Sequence, residues 1–224
     1  MGQFQNLINQ LIKSKLPEIN SAISSEVKAN NLDPLIHVES GTDVLGSVNL
    51  GICTAEAVAN YDIANLTGLS SFKIDDMVIA NATTSEDGSK MHGTMNLVGH
   101  MDSDFGIFLG GSFKAGCGFI KPTVGISGTI KVSNVTVQAI ADFDATIGDK
   151  ICITAIDVLR PALNFGDVNI HIDGLGAFNA LLKPLEDLIL GIIKGTVLAL
   201  ISSAMKAPIN SAIGGIMPQC VDVT

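Results

Sequence analysis

Tryptophan is missing from this chain and tyrosine occurs once, while hydrophobic residues make up 47% of it. An interior of that composition has few rigid aromatic fillers and many bendable aliphatic side chains. It is either an ordinary aliphatic core or the wall of a space that holds something apolar. Basic residues are scarce as well, with 13 Lys and Arg against 22 Asp and Glu, for a net charge of −9. Phosphate backbones are bound by clustered Lys and Arg, so nucleic acid is excluded as a partner and residence on anionic membrane surfaces is disfavoured. No run of about eighteen uncharged apolar residues occurs. Glu186, Asp187 and Lys194 interrupt the most apolar segment, which argues against a transmembrane segment.

Motifs that carry chemistry are also wanting. The four histidines, His37, His92, His100 and His171, show no His-Glu-x-x-His or comparable metal spacing. Val124-Gly125-Ile126-Ser127-Gly128 does not complete a nucleophile elbow. Gly110-Gly111 and Gly116 are not followed by Gly-Lys-Ser/Thr, and Gly174-x-Gly176 meets Asn179 where a dinucleotide fingerprint needs glycine. Asp75-Asp76 and Asp142/Asp144 read as solvated turns or outward strand positions. The expectation is a protein that is not an enzyme, with no metal site and no required cofactor.

Four cysteines are present, Cys53, Cys117, Cys152 and Cys220, none in a C-x-x-C pair. Asn-x-Ser/Thr sequons stand at Asn65, Asn81 and Asn134 as candidate glycosylation sites. An even cysteine count with sequons points to a secreted, extracellular protein with two disulfides, against the alternative of four buried thiols. The opening Met-Gly-Gln-Phe-Gln-Asn-Leu has no charged or apolar leader character, so a secreted protein of this sequence is expected to be a mature chain with an added start. Four cysteines allow three pairings. Cys117 and Cys152 lie in strand-like sequence and Cys220 just past the last helix, which favours Cys117–Cys152 and Cys53–Cys220.

The segment that dominates the chain is Asp167 to Ile213. Phe178, Leu181, Leu182, Leu185, Leu188, Ile189, Ile192, Ile193, Val197, Leu200 and Ile201 recur at helical spacing over residues 174–213. So wide a stripe must be covered. At the other end, Phe4, Leu7, Ile8, Leu11, Ile12, Leu16, Ile19, Ile23 and Val27 predict an amphipathic helix over 3–29, bent at Pro17 and stopped by Asn30-Asn31-Leu32-Asp33-Pro34. Residues 35–172 alternate as strands. Val48, Leu50, Ile52 and Val58 share a phase that shifts at Tyr61 and Ile63; Met91, Met95, Leu97, Met101, Phe105, Ile107, Leu109 and Phe113 share another. A further flip at Ser133-Asn134 predicts a β-bulge inside a long strand. Together these predict one α+β domain over 1–224: a long, strongly curved antiparallel sheet wrapped around a long C-terminal helix, with a second, N-terminal helix.

Three stretches carry a resemblance: Leu32-Asp33-Pro34-Leu35, Gly68-Leu69-Ser70-Ser71-Phe72-Lys73-Ile74, and Phe165-Gly166-Asp167-Val168-Asn169-Ile170 ahead of the long helix. They look like the takeout and juvenile-hormone-binding family. The helix–sheet–helix order is also similar to the group-seven mite allergens and to one half of a bactericidal/permeability-increasing protein, all of the tubular lipid-binding (TULIP) superfamily. The resemblance spans residues 3–215, rests on soft apolar patterns, and departs from the takeout type in lacking its N-terminal cysteine pair. It implies a super-rolled sheet around the helix with an apolar tunnel for a lipid, terpenoid or other hydrophobic small molecule, among which fatty acid, phospholipid, juvenile-hormone-like terpenoid and carotenoid fit.

The candidate lining is Leu11, Met77, Met91, Met95, Leu97, Met101, Phe105, Phe113, Phe178, Leu181, Leu185, Ile189, Ile192 and Ile193. Taken singly, each of these positions also suits a plain core residue, since core fillers outnumber pocket linings. Flexible thioethers on the middle strands suit varied ligand shapes. Loops near Asp102–Asp104 and Asn164–Asp167 are candidates for the tunnel mouth. The first helix is free to close the tunnel or to dock a partner, and a homodimer or a transient membrane or receptor contact is open to the protein. The competing reading is a surface-active or host-defence protein of the same fold without cargo.

Overall fold

The computed structural model describes residues 2–49, 53–116, 123–159, 161–175 and 182–223, with the backbone alone at 48, 49, 55, 113 and 115. The first helix, α1 (Gly2–Ala29), buries Ile8, Ile12, Leu16, Ile19, Ile23 and Val27, the stripe its sequence spacing dictates. Pro17 sits inside this helix without ending it. Asn31 ends it in a left-handed conformation (φ 55°), and Leu32 N–H closes back on the Val27 carbonyl at 3.0 Å.

Strands follow in chain order: β1 (Leu35–Asn49), β2 (Thr54–Thr67), β3 (Phe72–Thr84), β4 (Lys90–Met101), β5 (Phe105–Ala115), β6 (Thr123–Val132), β7 (Thr136–Ile147), β8 (Lys150–Val158), β9 (Ala162–Asn164), β10 (Val168–Asp173) and β11 (Gln219–Asp222). The expected curved antiparallel sheet is present, and its hydrogen bonding divides it into two segments. One has the order β1-β2-β5-β6-β10; the other runs β11-β8-β7-β4-β3, with β9 also on β7.

The chain passes between the two segments after β2, β4, β6 and β9, and the four crossings bond to one another at a waist. Asp102 N–H donates to the Ser71 carbonyl, Met101 N–H to Val135, and Ser133 N–H to Asp167. The Asp33 carboxylate accepts from Gly68 N–H and Ser70 N–H at 3.0 and 2.8 Å. Gly68 has φ 104°, and a Cβ there would lie 2.8 Å from the Asp104 carbonyl oxygen, so only glycine fits. The three stretches that carry the family resemblance are thus pieces of this waist.

Two strand expectations need correction. The phase flip at Ser133-Asn134 is not a bulge within one strand; it is the crossing from β6 in one segment to β7 in the other, with Asn134 left-handed at φ 55°. On β2 the inward residues are Ala57, Ala59 and Ile63, so Val58 points away from the interior. The shift on that strand falls later, where Asn65 is left-handed between Ala64 and Thr67.

The C-terminal helix is continuous over Leu182–Ile216: α2 (Leu182–Ile192), a π turn (Ile193–Val197) and α3 (Leu198–Ile216). Its fully buried residues recur every fourth position, Leu185, Ile189, Ile193, Val197, Ile201, Met205, Ile209 and Ile213. At 3.6 residues per turn each such step rotates the buried ridge by about 40°. The helix therefore presents different sides along its length. α2 touches β1 and β10, the opposite edges of the five-stranded segment, whereas α3 packs on α1, β8 and β9. In the same way α1 touches β3 and β11, the two edges of the other segment. Each curled segment is thus spanned edge to edge by a helix, and a single apolar core runs through both.

Candidate functional site

The interior is apolar without exception among the described residues, where no polar or charged side chain is buried. Asparagines on the helices satisfy backbone groups of the edge strand β3 and of β8 past the end of its pairing with β11. Asn20 of α1 accepts from Ile74 N–H at 2.8 Å and donates to the Ile74 carbonyl at 3.0 Å, while Asn9 accepts from Ile79 N–H at 3.0 Å. Asn210 of α3 accepts from Val158 N–H at 2.7 Å and donates back to its carbonyl at 3.2 Å. A side-chain amide copies a peptide group, so these residues do what another strand would otherwise do. Sequence reading passed over them; the available signal was an asparagine at the border of an apolar stripe.

The structure distributes the candidate lining over the two halves. Met77, Met91, Met95, Leu97 and Met101 lie on β3 and β4, while Phe105 lies on β5 of the other segment with Leu185, Ile189, Ile192 and Ile193 on the helix that spans it. Leu11 is half-buried on α1. Phe178 and Leu181 lie outside the described residues, as does the side chain of Phe113. Met77, Met91, Met95, Leu97, Phe105, Leu185, Ile189 and Ile193 are each 1% exposed or less. A wall with so little accessible surface borders no water-sized space, so these side chains fill the interior by packing on one another. Ile63, Leu109, Ile126 and Ile130 complete the wall on the inner face of the five-stranded segment, and the candidate lining read from sequence did not include them.

At the waist, His100 stands between two carboxylates. Its Nδ1 is 2.8 and 2.9 Å from the Asp75 oxygens and its Nε2 is 2.8 Å from Asp102. Both ring nitrogens can donate only when the ring is protonated, and the bonds to Asp75 and then Asp102 hold its pKa above the ordinary 6.5. A register shift between Ile74 and Asp76 turns both Asp75 and Asp76 outward, which brings Asp75 to the ring. Lys73 pairs with Asp102 and Lys131 with Asp104, lowering both carboxyls. The Asp102–Asp104 loop is therefore a tie between the two segments. Beside it, a cleft of about 770 Å³ opens between α1 and β3, with Ser21, Ser24, Ser25, Ser70 and Ser71 on its walls and Leu16 and Phe72 below. A cleft of about 300 Å³ separates α2 from β10 at Phe165, Val168 and Ile170, bordered by Lys183, Asp187 and Lys194. No group of His, Cys, Asp and Glu suited to a metal ion occurs among the described residues.

The disulfide pairing expected from sequence is overturned. Cys152 bonds Cys220, so neither Cys117–Cys152 nor Cys53–Cys220 forms. The reason is β11: residues 219–222 add an antiparallel strand to β8 in a register that sets Cys220 opposite Cys152. Cys53 is disulfide-bonded too, and Cys117 lies outside the described residues. The sequon residues Asn65, Asn81 and Asn134 are all exposed.

The long helix also bears on membrane contact. Leu182–Ile216 is long and apolar enough to cross a membrane by length and composition, a test that the core helix of a soluble protein also passes, and 28% of its most apolar 18-residue window is buried.

No protein-family model matches the chain, and no curated protein sequence does. Among solved structures it is similar to a lipopolysaccharide binding protein, with 14% identity and a TM-score of 0.44 over 85% of this chain and 37% of that one. This chain therefore spans little more than a third of that protein's length. It is also similar to Takeout 1 of Epiphyas postvittana, with 12% identity and a TM-score of 0.39 over 91% of each chain.

Proposed function

We propose that this chain is a secreted carrier that holds an elongated hydrophobic molecule between the long helix and the inner face of the curved sheet, with no catalytic step. The observation that supports this reading is the make-up of the interior, where every buried side chain among the described residues is hydrophobic. Such an interior offers a polar head group nothing to bind, so any head group stays at the surface, and it rewards an aliphatic chain by about 25 cal/mol for each Å² removed from water. Because the lining side chains fill the space themselves, cargo enters by parting them. α2 is the element placed to yield, since it spans the five-stranded segment from edge to edge and continues into a π turn at Ile193–Val197. Met77, Met91, Met95 and Met101 supply an adaptable wall in the other half. Fatty acid, phospholipid, terpenoid and carotenoid are the cargo classes that suit it. A disulfide between β8 and β11 accords with an oxidising compartment.

Native and denaturing mass spectrometry of one sample, with organic extraction and an absorption spectrum, tests this. A mass difference lost on denaturation and matched by one extracted apolar compound is the expected result, visible colour marking a carotenoid. Ligand-free protein should also take up a fluorescent fatty acid, and Ile189→Trp, which puts a larger side chain where cargo has to part α2 from the sheet, should reduce that uptake. Equal masses, an empty extract and no uptake would overturn the carrier.

A second reading has its own observation, the long helix with only 28% of its most apolar window buried. On that reading the helix spreads at an air–water or lipid interface. A steep fall in surface tension with the ligand-free protein, without lipid uptake, would favour it.

A further inference from the structure

The outer face of the six-stranded segment carries an apolar row that packing does not explain. Register sets Val78 of β3 opposite Asn96 of β4, and Asn96 opposite Ile140 of β7. Leu159, whose N–H donates to the Ile140 carbonyl at 2.9 Å, extends the row. Val98 stands in the neighbouring row, opposite Gln138. These residues are 37% (Val78), 52% (Ile140), 37% (Leu159) and 43% (Val98) exposed, so four aliphatic side chains meet solvent together across neighbouring strands. A cleft of about 530 Å³ lies between Val98 and Ile140, lined also by Asn96, Gln138 and Ala162. Scattered exposed aliphatics are ordinary, whereas a contiguous patch with a cleft is the mark of an interaction surface.

Charge says what covers it. Asp76 is opposite Val98, and Asp142 is opposite Asp157 next to Ile140, two like charges of which Asp157 accepts a hydrogen bond from the neutral Asn210 amide. Neither Asp76 nor Asp142 has a cationic partner among the described residues. Opposed carboxylates repel across a sheet unless a cation relieves them. A second copy of this acidic chain would bring acid onto acid.

We propose that this face is the docking surface for a basic partner protein, one whose contact side sets an aliphatic ridge between lysines or arginines. The ridge seats between Val98 and Ile140, and the cations reach Asp76 on one side and the Asp142–Asp157 pair on the other. The surface lies on the far side of the sheet from the apolar interior, so docking and cargo use different faces of the same strands.

The test uses the full chain with a synthetic amphipathic peptide of leucines flanked by lysines, read by calorimetry and by amide chemical shifts. Expected is one site mapped to β3, β4 and β7, weakened by added salt. Two variants separate its parts: Val98→Ser with Ile140→Ser removes the aliphatics, and Asp76→Asn with Asp142→Asn removes the charge. Each should lower affinity about tenfold, while uptake of a fluorescent fatty acid stays at the wild-type level. Equal binding to wild type and both variants would show a non-specific attraction and overturn the proposal. So would self-association of the wild-type chain that Ile140→Ser abolishes, since a second copy would then be the occupant.

Discussion

Asn20 does more for this fold than any one aliphatic residue next to it suggests. Its amide bonds both backbone groups of Ile74 on an edge strand, and among the described residues no other strand stands there to replace it. Asn20→Ala leaves those groups without their partner and should cost about 1–3 kcal/mol in urea unfolding. Asn169→Ala, at an exposed position of β10, should stay within about 0.5 kcal/mol. His100 sets a pH dependence. Its folded pKa is raised above the ordinary 6.5 by hydrogen bonds to Asp75 and Asp102. The stability it contributes is therefore complete below pH 6.5 and disappears as pH climbs through the raised value. Wild-type protein should lose denaturation midpoint across that upward window, His100→Gln should show a flatter profile, and a nuclear magnetic resonance titration of His100 should place its midpoint above 6.5. All three groups are well exposed, so the effect is small beside the loss of a core residue.

Among the elements, the smallest strand has a large consequence. β11 has four residues, Gln219–Asp222, yet it completes an edge of the six-stranded segment, touches α1 and carries the cysteine that bonds β8. The bond joins positions 68 residues apart in sequence. Closing a loop of that size restricts the unfolded chain, and Cys220→Ser should cost about 2–4 kcal/mol. Non-reducing peptide mapping should recover the Cys152 peptide joined to the Cys220 peptide. The long helix shows how one element serves two sheets. Its buried positions fall every four residues, so the ridge winds around the axis and can face the five-stranded segment through α2 and then α1 and β8 through α3.

For the whole molecule, two curled sheet segments, each spanned by a helix, are joined at a hydrogen-bonded waist and share one core. In the carrier reading, cargo binds the folded state and has no site in the unfolded chain. Saturation at about one hundred times Kd should then stabilise the protein by about 2.7 kcal/mol. Hydrogen exchange gives the location. Protection on adding a fatty acid should rise most in α2 and the π turn, Leu182–Val197, and on β1 and β10 that α2 touches. The same rise spread evenly over α1 and α3 would place the cargo in the other half.

Periodicity in the sequence determined α1, the inward face of β4 and β5, and that a long apolar helix follows the sheet, because side-chain burial at spacings of three to four and of two is a local property of the chain. The helix runs to Ile216 rather than 213, and residues 174 and 175 lie outside it. The alternation from Met91 to Leu109 runs on through the Asp102–Asp104 turn although β4 and β5 belong to different segments, since both turn their odd residues to one core. That continuity concealed the division of the sheet. The crossing at Ser133-Asn134 looked like a bulge for the same reason, a phase flip being blind to which strand lies alongside. Only the tertiary structure decided the asparagine ties at Ile74, Ile79 and Val158, the Cys152–Cys220 bond and the aliphatic row on the outer face. Each joins residues far apart in the chain, and register across strands, which sets those meetings, is fixed by packing and by hydrogen bonds between segments that no local pattern encodes.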